Sequence, residues 1–196
     1  PLYSSAASDV YKRQLRDRVE EILMDVANAI YSTDLIDESI RQAVHDYSFA
    51  YPQELETVIT LPGDGREIAL SSLTGLIEVM EVWWPYDSDA STETWPPNQV
   101  IGWRVWWDNN QPVLFLSSYE GSQPQQDDEM RIWYTALQTL QDLDDASATT
   151  IHISHESIIA YGAAAKAAMT RTADLIETAS IDLYEVNLLG SWALIK

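Results

Sequence analysis

The sequence predicts an α+β fold: a three-helix bundle with an antiparallel β-sheet insertion between the second and third helices. Three observations carry that expectation. Apolar residues recur every three or four positions up to residue 50, the period changes to two from Leu55 to about Leu140, and the helical period returns after Ser154. With 196 residues, 46% of them hydrophobic, the chain is long enough to bury a core of its own.

The first helix is expected over about 16–31. Val19, Ile22, Leu23, Val26 and Ile30 mark one apolar face, and Asp17, Glu20, Glu21 and Asp25 lie off it. "YSTD" breaks the pattern. Asp34 is the expected N-cap of a second helix over 35–50, with Asp37 three residues on in a box-like position. Ile36, Ile40, Ala43, Val44 and Tyr47 line its inner face, and Pro52 stops it. A short connection makes the two helices antiparallel neighbours.

The strand-rich insertion covers 55–140. "ETVITLP", "REIALS", "LIEVMEVWW", "VIGWRVWWD", "VLFLSS" and "MRIWYTALQTL" alternate as strands do, with turn chemistry at "GDG" and "NNQP" between them. "YDSDASTETWPPNQ" and "YEGSQPQQDDE" are polar loops. Ser154 is the expected N-cap of a third helix over 155–177, rich in alanine and containing Gly162, where a neighbouring backbone can come close. The last stretch, 180–196, is apolar but poorly periodic and reads as a partner-docking tail.

Charge excludes several functions. Lys and Arg number 11 against 31 Asp and Glu, a net charge of −20, which repels nucleic-acid phosphate and anionic lipid. No cysteine is present, so thiolate metal sites and cysteine nucleophiles are ruled out. No apolar run reaches the ~18–20 residues of a membrane span, and no secretory-type leader is expected. His152 and His155 stand three apart beside Glu156, a spacing better suited to starting a helix than to holding zinc, and His45 is far off in sequence. "DSDASTE" at 87–93 and "DLDDAS" at 142–147 lack the glycine and closing glutamate of a calcium loop. No nucleophile elbow, metalloprotease helix or phosphate-cradling loop is present. No enzyme, cofactor or metal is expected.

The tryptophans are the expected contact residues. Along 101–107, Ile101, Trp103, Val105 and Trp107 share one face and read as core, while Trp106 shares the other with Arg104. Trp133 lies opposite the apolar row of Met130, Ile132 and Tyr134. Aromatics on both sides of a sheet leave one face to meet the helices and one to meet something else. The expected interface set is Trp84, Trp95, Trp106 and Trp133, with Tyr184, Leu188, Leu189 and Trp192 of the tail. A carbohydrate-binding module using Trp84, Trp95 or Trp106 as a stacking platform is the alternative, and an acid–base hydrolase ranks third.

Two resemblances complete the reading. "PLYSSAASDVYKRQ" at 1–14 resembles the translated read-through of a sequencing-library adapter, the ending "SDVYKRQ" carrying the likeness. The native chain is then expected to start near Leu15, with one α+β domain over 15–179, in an environmental sequence from an uncultured organism or virus. The second resemblance rests on "AVHDYSFAYP", "MRIWYTALQTL" and "ISHESIIAYGAAAKAA". In that order these stretches resemble the head–tail connector (adaptor or neck) proteins of tailed bacteriophages, although the tryptophan-rich insertion is longer than in the compact all-helical adaptors. The resemblance implies a virion structural protein assembled in the host cytoplasm. Its subunits would form a ring of about a dozen, docked between the portal protein and a downstream neck or tail protein. DNA would pass through the ring without specific binding, and no catalytic residues carry over.

Overall fold

The computed structural model describes residues 5–88, 99–118 and 123–177, together with Ser191. Helices α1 (Ser5–Leu23) and α2 (Thr33–Ala50) come first. Strands β1 (Gln53–Thr60), β2 (Glu67–Ala69), β3 (Leu76–Tyr86), β4 (Gly102–Asp108), β5 (Gln111–Ser118) and β6 (Glu129–Ala136) follow, and helix α3 (Glu156–Glu177) closes the described order. Two compact units result, 1–51 with 138–196 and 52–137.

The expected three-helix bundle with one inserted sheet is not what forms. Helices stand at both ends of the chain, and between α2 and α3 lie two three-stranded antiparallel sheets, ordered β1-β6-β3 and β2-β5-β4. The reason is what covers the strands. Among the described residues of the 52–137 unit there is no helix, so the apolar rows expected to meet helices meet each other. Met130, Ile132, Tyr134 and Ala136 of β6 and Val79, Val82 and Trp84 of β3 share one buried cluster with Leu114 and Leu116 of β5 and Ile68 of β2. The helices do not close a bundle by themselves either, because Leu140, Leu143 and Ile151 from irregular chain complete their core.

Local chemistry moves several boundaries. Helix α1 ends at Leu23 rather than at 31, and it begins inside the leader-like segment. Met24 and Asn28 take left-handed backbone, with φ of 56° and 50°. The buried Asp25 carboxylate then accepts the N–H groups of Ala29, Ile30 and Tyr31 at 2.9, 2.8 and 2.7 Å. An aspartate that bonds the backbone so close by competes with helix continuation, and here it wins over the apolar pattern. Val26 and Ile30, expected on the inner face, are exposed. The N-cap of α2 is Ser32, whose Oγ accepts the Leu35 N–H, and Asp34 sits in the first turn instead.

In the helical unit, Leu15 and Val19 of α1 and Ile36, Ile40, Ala43 and Val44 of α2 pack on Ile159, Ala160, Ala163, Ala164 and Ala167 of α3. Alanines on α3 keep that face shallow, so both other helices can seat against it. Ion pairs tie the helices at their rims. Arg16 grips Asp37 through Nε and Nη2 at 2.9 and 2.7 Å, and Lys166 reaches Asp46 at 2.6 Å. In the sheet unit, β4 and β5 join through Asn109 and Asn110, both at positive φ (47° and 63°), the backbone a two-residue hairpin turn requires.

Two outcomes follow. A Cβ at Gly162 would stand 3.5 Å from the Ala43 Cβ, an ordinary contact. Gly162→Ala should therefore raise stability by about 1 kcal/mol through helix propensity, and Gly162→Leu should lower it by roughly 1–3 kcal/mol through overpacking, both measured by thermal unfolding. The three N–H donors at Asp25, that of Tyr31 foremost, hold its carboxyl below the usual carboxylate range. Its stabilising effect is full above that range and is lost as pH falls through the lowered value. Asp25→Ala should thus melt earlier than the parent at neutral pH, with the gap closing in strong acid.

Candidate functional site

The register of each sheet sorts its side chains into an inner row and an outer row. On β6, Arg131 and Trp133 point away from the buried cluster, because Met130, Ile132 and Tyr134 point into it. Across the sheet, Trp133 is level with Glu56 on β1 and Glu81 on β3, and Arg131 is level with Val58 and Trp83. These neighbours build a cation–aromatic cluster. The Arg131 guanidinium stands 4.4 Å from the Trp133 ring centre, 5.6 Å from that of Trp83 and 5.4 Å from that of Tyr86. The two indoles lean together at 4.2 Å. Arg131 Nη1 donates to the Tyr86 hydroxyl at 3.2 Å, and Nη2 donates to Glu56. Glu81 accepts the Trp83 indole N–H at 2.5 Å. The Glu56 hydrogen bond is the main cause that holds Arg131 above its ordinary pKa.

The second sheet repeats the device in smaller form. Trp106 stacks on Phe115 with ring centres 5.6 Å apart and planes 23° apart. The Arg104 guanidinium lies 5.0 Å from the first ring and 5.1 Å from the second. Both clusters share a sequence signal. "RVW" at 104–106 and "RIW" at 131–133 each place an arginine and a tryptophan two apart, hence on one side of a strand.

The predicted contact residues separate. Trp84 is 4% exposed inside the sandwich, so it serves as core rather than as interface or platform. Trp106 and Trp133 are half-buried on the outer faces of different sheets. Trp95, Tyr184, Leu188, Leu189 and Trp192 lie outside the described residues. The row read as core from Ile101 to Trp107 holds only in its middle. Trp103 and Val105 pack against the cluster, whereas Ile101 is 93% exposed and Trp107 61%. Strand β4 is a sheet edge, with Ile101 just before its start and Trp107 near its end. Trp107 instead lines a groove of about 300 Å³ with Trp103, Val105 and residues 76–79 of β3.

In the helical unit the histidines have structural partners. The Tyr47 hydroxyl and His155 Nδ1 are 2.6 Å apart, and Tyr51 stacks on Tyr47 at 5.5 Å. Burial pushes the Tyr47 hydroxyl above its usual pKa, with Tyr51 adding to the shift. His152, not Ser154, caps the 3₁₀ turn over Ile153–His155 that leads into α3, its Nδ1 accepting the Ser154 N–H at 3.3 Å. Among the described residues no group of three or more His, Asp or Glu is placed to hold a metal ion. Nor is any described helix long and apolar enough to cross a membrane. The chemistry on offer at the two sheet faces is noncovalent: π surfaces with fixed cations.

No protein-family model matches the chain, and no curated protein matches it.

Arg131 should matter for stability more than Arg104 does. Its ion pair is half-exposed and contributes little, so stacking dominates. Arg131→Ala should cost about 1–2 kcal/mol in urea unfolding followed by tryptophan fluorescence. Arg104→Ala, on an open face, should cost about half as much or less.

Proposed function

We propose that this chain is a structural virion protein of the head–tail connector type, one subunit of a ring of about a dozen between the portal and the tail of a tailed phage. The observation that supports this reading best is where the three connector-like stretches meet. "AVHDYSFAYP" forms the end of α2, "MRIWYTALQTL" forms β6 and the return to the helices, and "ISHESIIAYGAAAKAA" forms the turn and the first half of α3. They are hydrogen-bonded to one another. The Gln138 N–H donates to Ser48 Oγ at 2.9 Å, the Gln138 side chain donates to the Tyr51 carbonyl at 2.8 Å, and Tyr47 bonds His155. Segments 87 to 108 residues apart in the chain thus form one junction, with the strands lying between them in the sequence.

Other features agree with the proposal. A net charge of −20 suits a lumen through which DNA slides without sticking. Arginine and tryptophan on both outer sheet faces suit contacts with other subunits, since these residue types dominate interface energetics. In this reading the partners are further copies of the chain, the portal and a downstream neck or tail protein. The protein works by binding alone, without a cofactor, in the virion neck. The carbohydrate-binding alternative is weaker. Trp84 is buried, and Arg104 stands over the Trp106 ring where a sugar would stack.

The test begins with the DNA flanking the gene, where a portal gene on one side and tail genes on the other are expected. The portal encoded there should then capture the full chain as a ring in native mass spectrometry. Deleting 180–196 should abolish that capture and leave unfolding unchanged. Unchanged capture by the truncated chain would sink the tail's role. A chain that ignores the portal and shifts its tryptophan fluorescence on glycan titration would sink the connector reading.

A further inference from the structure

Helix α3 is apolar on two opposite faces, and among the described residues only one is packed. The alanine face is buried against α1 and α2. On the other face Ile158, Met169 and Ile176 are 52%, 60% and 53% exposed, with Ala165 between them. Their spacing keeps them in one line on a 3.6-residue helix, a stripe roughly 27 Å long. Charged residues are turned away from it. Between Ile158 and Ile176 the helix carries only Lys166, Arg171 and Asp174. Lys166 is paired with Asp46 of α2 at 2.6 Å, and Arg171 with Asp174 at 2.6 Å. An uncharged stripe on a chain with a net charge of −20 is where a second copy meets the least repulsion.

We infer that two copies of this chain pair through their α3 stripes, antiparallel about a two-fold axis near Ala167. The stripe is complementary to itself in that sense alone. Reversal about residue 167 sets Ile158 of one copy against Ile176 of the other and Ala165 against Met169, so a small side chain receives a large one. A parallel pair would set Met169 against Met169 and Ala165 against Ala165, with a gap at one and a crowd at the other. A stripe about 10 Å wide buries less than the ~1,200 Å² of a standard interface, so the pair is reversible and depends on concentration. Added salt strengthens it by screening two anionic subunits. The inference does not rest on the ring reading. A two-fold pair joins one patch to itself, whereas ring closure joins two different patches.

The chain lacks cysteine, so engineered thiols report the geometry directly. Ile158→Cys and Ile176→Cys variants of the full chain, mixed and oxidised, should give a covalent dimer that neither variant gives alone. Analytical ultracentrifugation of the parent should show a monomer–dimer equilibrium that shifts toward dimer with salt. Met169→Asp should keep the parent's circular dichroism and melting temperature yet weaken pairing about tenfold or more. Ile158→Cys cross-linking to itself would overturn the antiparallel arrangement. A parent that stays monomeric at every concentration, its stripe being covered by its own chain or by another partner, would overturn the inference. So would Met169→Asp pairing as well as the parent.

Discussion

Everything in the 52–137 unit depends on two thin sheets burying each other. A three-stranded sheet has one apolar face, and with no helix among the unit's described residues to receive it, the face must find another sheet. Leu114, Leu116, Met130 and Ile132 are the fully buried centre of that contact. Once these rows are committed inward, alternation sends Arg104, Trp106, Arg131 and Trp133 outward. The cation–aromatic clusters follow from the core rather than standing apart from it. Each arginine shields flat aromatic surface that water would otherwise meet, while its charge stays near solvent.

The sequence revealed a good share of this order. Helices α2 and α3 are legible because buried side chains at three- and four-residue spacing dominate them, and the strands because their period is two. What covers a strand is not legible, since alternation says which residues share a face and nothing about the layer opposite. One sheet against helices and two sheets against each other demand the same pattern. Trp84 shows a finer limit. Register shifts in β3, between Val79 and Glu81 and again between Trp83 and Tyr86, break strict alternation, and the adjacent Trp83 and Trp84 are both buried. The end of α1 was hidden for another reason: a single carboxylate, Asp25, took three backbone donors and overrode an apolar periodicity that ran on to Ile30.

The contact residues fared less well, because tryptophan is ambiguous by chemistry. Its large apolar ring fills a core and its N–H suits an interface. Trp84 and Trp106 are alike by composition, but Arg104 on the same strand face already sets Trp106 apart. Extending that pairing to the residue two positions before each tryptophan narrows the choice further. An arginine there marks Trp106 and Trp133 as outward, whereas Trp84 has Val82, which is buried. The outer stripe of α3 is hard to see in the sequence, because the alanines around Ile158, Met169 and Ile176 blur the boundary between its two apolar faces.

The sandwich is inserted in the sequence of the helical unit, and its own two ends are paired: Gln53 at the start of β1 with Ala136 at the end of β6. That nesting has a cost in time during synthesis. Helix α2 is finished at residue 50, but α3, which supplies the alanine face it packs on, begins only at residue 156. At ribosomal speeds of about 5–20 residues per second, the intervening chain takes roughly 5–20 s to make. Through that interval Ile36 and Ile40 have no α3 to lie against, and the sandwich can close once β6 is made at residue 136, before α3 begins. The nascent chain therefore completes its middle first and its ends last, and during that wait the growing chain is most open to chaperones and to its neighbours on the same messenger.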